Sequence, residues 1–205
     1  MSPMSHSLNK HAIYDTNDMI AIKVSWKQSR ASVENECSIL QSMVSVPHVE
    51  RCIGHPNAYP FEDGRVMIAL HPVVTSDSTV DRITSSVNNV NPGAARISAV
   101  KCIVETTIEM LCAGVYTIDV QPLIDIDSGE VIFIDFTEAN HFSQPITPTD
   151  EAALVGFCTE MMALIPESLK EFAAELLKQK LRGSDVTMTP LPEKVIDILE
   201  RIWLE

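Results

Sequence analysis

The pattern of apolar and polar positions predicts five helices. Apolar residues recur at intervals of three and four, which places them on one face of a helix. This pattern covers residues 32–43, 94–112, 151–164, 167–181 and 192–204. The third stretch is apolar on most sides, which is typical of a buried helix, and Thr149 or Asp150 is predicted to cap it. A mainly helical part of the chain is therefore expected after residue 94.

Short apolar runs in the first 70 residues predict a small antiparallel β-sheet. Residues 11–14 and 19–24 flank a polar turn, which is the pattern of a β-hairpin. A further apolar run, residues 66–70, follows an Asp-Gly turn and ends before His71-Pro72. A sheet of this kind combined with the later helices predicts an α+β fold.

A second predicted hairpin carries the candidate chemistry. Strands 122–126 and 130–136 flank a turn in which Gly129 suits the positive φ that a tight hairpin needs. Asp119 precedes the first strand and Asp135 stands near the end of the second. Because a hairpin brings its two ends together, the two carboxylates are expected to lie close to each other at its open end. There they can hold a metal or transfer a proton. The alternative is an ordinary acidic turn that faces solvent.

At these residues the chain resembles the protein-kinase family. The family pattern is H-R-D-x-x-x-x-N, a short hairpin and D-F-G, and here residues 117–119 read TID and residues 135–137 read DFT. Residues 20–24, IAIKV, resemble the V-A-I-K strand. In the family, a Glu on the next helix pairs with the Lys of that strand. The register favours Glu36, with Glu34 as its rival.

The resemblance implies an α+β, bilobal protein-kinase-like fold. Residues 1–72 would form a truncated N-terminal lobe, a small antiparallel β-sheet with one helix, and residues 73–205 a reduced, mainly α-helical lobe. ATP and Mg²⁺ are the cofactors that the resemblance implies. They would bind in the cleft between the two lobes.

The resemblance also assigns roles to single residues. Lys23 would hold the α- and β-phosphates, and Glu36 would orient Lys23. Asp119 would accept the proton of the substrate hydroxyl, and Asp135 would bind Mg²⁺. The central helix of the large kinase lobe begins with an Asp, so Asp150 would hold the catalytic loop from below. A plain helix cap is the compatible alternative for this residue.

The nucleotide pocket and the second metal position follow from the same resemblance. Ile68 would line the back of the pocket, and the backbone of Leu70 and His71 would meet the adenine. Ile124 stands where the family has the Asn that binds a second Mg²⁺. Asp125 is a candidate metal ligand only if the register slips by one residue.

The chain departs from the family at most of its polar positions. No glycine-rich loop precedes Lys23, Gln121 replaces a Lys that supports the transferred phosphoryl group, and Thr137 replaces the Gly of D-F-G. The segment from Asp135 to Asp150 is too short for an ordinary activation loop. If each missing contact costs about 2–4 kcal/mol of transition-state stabilisation, three losses slow phosphoryl transfer by roughly 10⁴-fold or more.

Three functional interpretations follow. The first is a pseudokinase-type binding or regulatory protein with a degenerate ATP/Mg²⁺ cleft. The second is an active but atypical phosphotransferase, a Ser/Thr protein kinase or a small-molecule kinase, that uses Asp119 as base. The third is a kinase fold recruited to non-phosphoryl chemistry, with Lys23 and the acids of the cleft as acid or base, because fold does not fix function.

Composition narrows the partners and the compartment. The 205 residues, 45% of them hydrophobic, suffice for one domain or two small lobes. A net charge of −13 disfavours nucleic acid and anionic membrane surfaces, and no apolar run reaches transmembrane length. Five irregularly spaced cysteines predict free thiols in a reducing compartment, and hence a cytoplasmic protein. The expected partner is a nucleotide or small molecule in the cleft, with a protein partner as the alternative.

Overall fold

The computed structural model describes residues 11–14, 19–24, 30–53, 67–71, 82–182 and 190–204. Within these ranges the chain has an α+β fold. Its helices are α1 Arg30–Ser42, α2 Ala94–Cys112, α3 Pro148–Ala163, α4 Lys170–Arg182 and α5 Glu193–Trp203. Its strands are β1 His11–Tyr14, β2 Met19–Val24, β3 Arg51–Ile53, β4 Met67–His71, β5 Ile83–Thr84, β6 Val115–Thr117, β7 Gln121–Asp125, β8 Val131–Ile134 and β9 Ala139–His141.

The first four strands form an antiparallel sheet in the order β1-β2-β4-β3. The hairpin predicted for residues 11–24 is confirmed as β1 and β2, and its turn lies outside the described residues. Strand β4 pairs with β2 on one side and with β3 on the other, and Lys23 stands opposite Ile68. Helix α1, which connects β2 to β3 in sequence, packs against β3 and β4.

The second half of the chain is built on α2, whose predicted bounds are confirmed. The helix begins after Gly93 and stops before Gly114, and both glycines have positive φ. The predicted hairpin that follows is confirmed as β7 and β8, with Gly129 at φ +71 in its turn. Strands β6 and β9 form a separate two-stranded sheet that the sequence pattern did not reveal, because three residues are too few for a period to be read.

Helix α3 begins earlier than predicted, and its cap is a different residue. Thr147 is the N-cap, and its hydroxyl accepts the backbone N–H of Asp150 at 3.2 Å. The Asp150 carboxylate accepts the backbone N–H of Thr147 in return, which is a capping box. Pro148 takes the first helical position, where its fixed φ and missing N–H suit a helix start. The predicted cap at Thr149 or Asp150 is therefore wrong.

Helices α2, α3 and α5 supply much of the buried core, in which Ile103, Leu154 and Leu199 have no exposed surface. The indole N–H of Trp203 donates to the carbonyl of Cys158 at 3.2 Å and ties α5 to α3. Among the described residues, none of the helices is by itself both long and apolar enough to cross a membrane. The segments Pro148–Ala163 and Glu167–Arg182 meet that criterion only as a pair, which is bent by 97°.

Two of the five cysteines are paired, so the prediction of free thiols is wrong for Cys37 and Cys52. They form a disulfide between α1 and β3, with their Cα atoms 5.3 Å apart. The pairing follows from the packing of α1 on the sheet, which the sequence pattern does not specify. Cys102, Cys112 and Cys158 are free. Because disulfides persist mainly in oxidising compartments, the cysteines no longer support the predicted reducing compartment.

Candidate functional site

The side chain of Lys23 is the centre of the candidate site. It has no exposed surface, and its ammonium group contacts three side chains. Nζ lies 2.8 Å from the Glu36 carboxylate, 2.6 Å from Oδ1 of Asp135 and 2.7 Å from Oγ1 of Thr137. A buried ammonium group needs such partners, because an isolated charge is strongly disfavoured in a medium of low dielectric constant.

Three different elements bring these groups together. Lys23 is held by the pairing of β2 with β4, which turns its side chain into the protein. Glu36 lies on the buried face of α1, next to the disulfide-bonded Cys37. Asp135 and Thr137 come from the segment that follows β8. The structure thus resolves the alternative between two acids on α1 in favour of Glu36.

The electrostatics of the cluster keep Lys23 charged. Burial alone lowers the pKa of Lys23, but the Glu36 carboxylate and the hydrogen bond to Asp135 outweigh it and raise the pKa above its ordinary value. The side chain of Asp135 is 24% exposed, whereas that of Glu36 has no exposed surface. Solvent therefore reaches the cluster from the Asp135 side.

The backbone of Asp135 adopts a left-handed conformation, with φ 62 and ψ 69. Asp is among the residues that tolerate this region best. Two hydrogen bonds hold the segment: the N–H of Asp135 donates to Glu50 Oε1 at 2.5 Å, and the N–H of Phe136 donates to Glu36 Oε1 at 3.0 Å. The positive φ expected at the glycine of D-F-G thus falls on Asp135, and Thr137 follows it in a 3₁₀ turn.

Sequence reasoning missed two residues of this cluster, Glu50 and Thr137. Glu50 is buried beside β8, where its own N–H donates to the carbonyl of Phe133 at 3.0 Å. The sequence around Glu50 has no motif that distinguishes it from a surface acid. Thr137 was noted only as a departure from glycine, although its hydroxyl contacts both Lys23 and Asp135.

Asp119 lies at the same end of the β7–β8 hairpin as Asp135, because Gln121 pairs with Ile134. Its side chain is exposed, and Oδ2 accepts a hydrogen bond from Gln121 Nε2 at 2.6 Å. The indentation beside it, which Phe136 and other apolar side chains line, is too small to admit a water molecule.

Asp125 is at the opposite end of the hairpin, so its prediction as a metal ligand beside Asp135 is wrong. It lies four positions after Gln121 in β7, a distance of about 13 Å at 3.3 Å per residue. Its carboxylate accepts the backbone N–H groups of Asp127 and Ser128 and holds the turn. The N–H of Ser128 is the main reason that the pKa of Asp125 is below its ordinary value. Ile124, by contrast, is fully buried.

The residues predicted to contact a nucleotide lie on β4. Ile68 is buried opposite Lys23. Leu70 has a ladder partner on each side, Ala21 and Cys52, so its backbone polar groups face neighbouring strands. His71 pairs with Arg51 at the end of the strand. A backbone contact with an adenine would therefore involve His71 rather than Leu70.

Asp150 does not hold the loop that carries Asp119. Its hydrogen bonds go to Ser143 and Thr147, in its own segment. The Ser143 and Thr147 hydroxyls lower the pKa of Asp150 to about 2. Asp150 thus stabilises the start of α3 as the N3 residue of the capping box, and it is neither the predicted N-cap nor a support beneath the catalytic loop.

Of the two predicted Mg²⁺ ligands, only Asp135 belongs to the cluster around Lys23. Mg²⁺ prefers an octahedral set of oxygen ligands, usually with one or two protein carboxylates. No group of three or more His, Cys, Asp or Glu side chains in the described part of the chain is arranged to hold a metal. Asp135 directs Oδ1 to Lys23 and Thr137, and Asp125 is about 13 Å along the hairpin from that end.

The arrangement neutralises the charge of Lys23 with two carboxylates and a hydroxyl. Comparison of the chain with protein-family models and with curated protein sequences gives no match. The geometry around Lys23 is therefore the main indication of function in this chain.

Proposed function

We propose that this chain is a kinase-like, pseudokinase-type binding or regulatory protein, whose cleft takes a nucleotide or a similar phosphate-bearing small molecule. The observation that carries the proposal is the position of Lys23 Nζ, 2.8 Å from Glu36 and 2.6 Å from Asp135. In kinases a strand lysine, a helix glutamate and the aspartate of D-F-G form the same set. An anionic ligand would approach this cation from the partly exposed side of Asp135 and would replace one of its present partners.

The order of the elements supports the kinase-like part of the proposal. A sheet of order β1-β2-β4-β3, with α1 between its second and third strands, precedes a part of the chain rich in helices. We take residues 1–72 and 73–205 as the two lobes of this fold, with the ligand between them. Lys23 then belongs to the first lobe and Asp135 to the second.

Three features favour binding over efficient phosphoryl transfer. The second metal position is taken by the buried Ile124, and Asp125 is far from Asp135. Asp119 accepts a hydrogen bond from Gln121, which competes with a substrate hydroxyl for the carboxylate. Asp135 Oδ1, the predicted Mg²⁺ ligand, is already bonded to Lys23 and Thr137. An atypical phosphotransferase with Asp119 as base is the second candidate, because Asp119 is exposed at the same hairpin end as Asp135.

Calorimetric titration with ATP tests the proposal. We expect saturable binding to the wild type with EDTA present, and at least tenfold weaker binding to Lys23→Met. Lys101→Met, which removes an exposed lysine of α2, is the matched control and keeps the wild-type affinity. Thermal denaturation verifies that each variant is folded. Absence of binding at millimolar ATP overturns the nucleotide proposal, and transfer of the γ-phosphate in a radiolabel assay favours the phosphotransferase instead.

A further inference from the structure

The ammonium group of Lys23 has no donor left for a ligand. A lysine has three N–H donors, and here four acceptor oxygens surround them at 2.6 to 2.8 Å: Glu36 Oε1 and Oε2, Asp135 Oδ1 and Thr137 Oγ1. The side chain has no exposed surface. A phosphate oxygen can therefore reach Nζ only by replacing one of these three partners.

The three partners differ in how easily they are replaced. Glu36 and Asp135 are carboxylates, and hydrogen bonds between ionised groups are about twice as strong as neutral ones. Glu36 is also fully buried and accepts the N–H of Phe136. Thr137 offers a neutral hydroxyl on a half-buried 3₁₀ turn at the partly exposed side of the cluster. Its oxygen is the partner that an anion replaces at the lowest cost.

Thr137 also acts on Asp135. Its hydroxyl lies 2.6 Å from Asp135 Oδ1, the same oxygen that contacts Lys23. Lys23, Asp135 and Thr137 thus form a closed triangle of hydrogen bonds. Displacing the hydroxyl opens this triangle on the side that solvent reaches.

We propose that Thr137 is an internal competitor of the ligand: its hydroxyl occupies the donor of Lys23 that a phosphate oxygen would otherwise take. Thr137 then sets the affinity of the cleft for phosphate-bearing anions, and binding requires the hydroxyl to move away from Lys23. This inference rests on the proposed function, because it assumes that the ligand presents an anionic oxygen to Lys23.

Substitution of Thr137 separates the hydroxyl from the shape of the side chain. Thr137→Val keeps the branched shape and removes the acceptor, so that an incoming anion displaces a methyl group that holds no hydrogen bond to Lys23. Thr137→Ser keeps the hydroxyl and is the conservative control. Thr159→Val is the matched remote control, because the hydroxyl of Thr159 contacts only its own helix, at the carbonyl of Val155.

Titration of each variant with pyrophosphate and with ATP, in EDTA, tests the inference. We expect Thr137→Val to bind roughly tenfold more tightly than the wild type, the effect of about one hydrogen bond to a charged group. Thr137→Ser and Thr159→Val are expected to stay within about twofold of the wild type. Thr137→Ala is the second variant, used if melting curves find Thr137→Val unfolded.

The outcomes distinguish this inference from the proposed function. Binding to the wild type without any gain in Thr137→Val or Thr137→Ala overturns the inference and leaves the proposed function intact. Tighter binding in Thr137→Ser, or equal gains in Thr159→Val, also overturns it. Binding that is detectable only after removal of the hydroxyl supports both the inference and the proposed function. Absence of binding to every variant at millimolar anion concentration overturns the inference and the proposed function together.

Discussion

The amino group of Lys23 lies 2.6 Å from Oδ1 of Asp135, although 112 positions separate the two residues in the chain. The same amino group contacts Glu36, 13 positions away, at 2.8 Å. One ammonium group thus joins the first sheet, helix α1 and the segment after β8. Because buried charges depend strongly on their partners, we expect this cluster to be important for stability as well as for binding.

Replacing Lys23 with Met removes the positive charge and keeps most of the side-chain volume. The fully buried Glu36 carboxylate then faces an apolar group, and we expect the free energy of unfolding to fall by about 3–5 kcal/mol. Urea denaturation measures the change. Lys101→Met is the control and should stay within about 0.5 kcal/mol of the wild type. A loss below about 1 kcal/mol in Lys23→Met would contradict the role assigned to the cluster.

The Cys37–Cys52 disulfide is expected to stabilise the packing of α1 on β3. It closes a loop with a sequence separation of 15, for which the chain-entropy account gives about 3 kcal/mol. Reduction should therefore lower the melting temperature of the wild type but not that of the Cys37→Ala/Cys52→Ala variant.

A thiol count checks the pairing directly. Of the five cysteines, Cys102, Cys112 and Cys158 are free. Under denaturing conditions a thiol reagent should therefore titrate three groups before reduction and five after it. Five reactive thiols in the unreduced protein purified under oxidising conditions would contradict the disulfide.

Asp150 makes stability depend on pH in the acidic range. Its pKa falls from 3.8 to about 2 in the folded protein, because the Ser143 and Thr147 hydroxyls favour the ionised form. The contribution of the ionised Asp150 carboxylate to the free energy of unfolding is therefore complete above about pH 4 and is lost as the pH falls toward 2. The stability difference between wild type and Asp150→Asn should shrink over this window.

Urea denaturation from pH 5 to pH 2 measures the effect of Asp150. Asp197→Asn, which replaces an exposed acid of α5, is the control. A difference between the wild type and Asp150→Asn that is constant with pH would rule out the capping box as its source.

Gly129 and Gly156 should respond to Ala in opposite directions. A Cβ at Gly129 would lie 1.8 Å from the carbonyl oxygen of Ala95, and φ is +71. We expect Gly129→Ala to cost more than about 2 kcal/mol, since both the backbone conformation and the contact are unfavourable. In α3 a Cβ at Gly156 meets nothing within 4 Å, so Gly156→Ala should stabilise by about 0.5–1 kcal/mol. Equal effects in thermal denaturation would contradict the close approach of the hairpin turn to α2.

Patterns within one segment determined the local structure. Apolar spacing and two flanking glycines sufficed to place α2, and the turn at Gly129 sufficed to place β7 and β8. Resemblance to a known motif pointed to Lys23, Glu36 and Asp135 as a set. Such signals can be read from sequence because helix period, turn conformation and motif order depend on neighbouring residues.

Only the tertiary structure decided which side chains meet. Glu50 and Thr137 join the cluster, and Asp125 is excluded from it, because packing and strand register fix distances between remote segments. The disulfide follows in the same way from the approach of α1 to β3. No local pattern encodes these contacts, since a buried acid or hydroxyl has the same sequence appearance as an exposed one. The sequence by itself thus determined the main helices, the two hairpins and three candidate residues, and the fold determined that acceptor oxygens of Glu36, Asp135 and Thr137 enclose the Lys23 ammonium group.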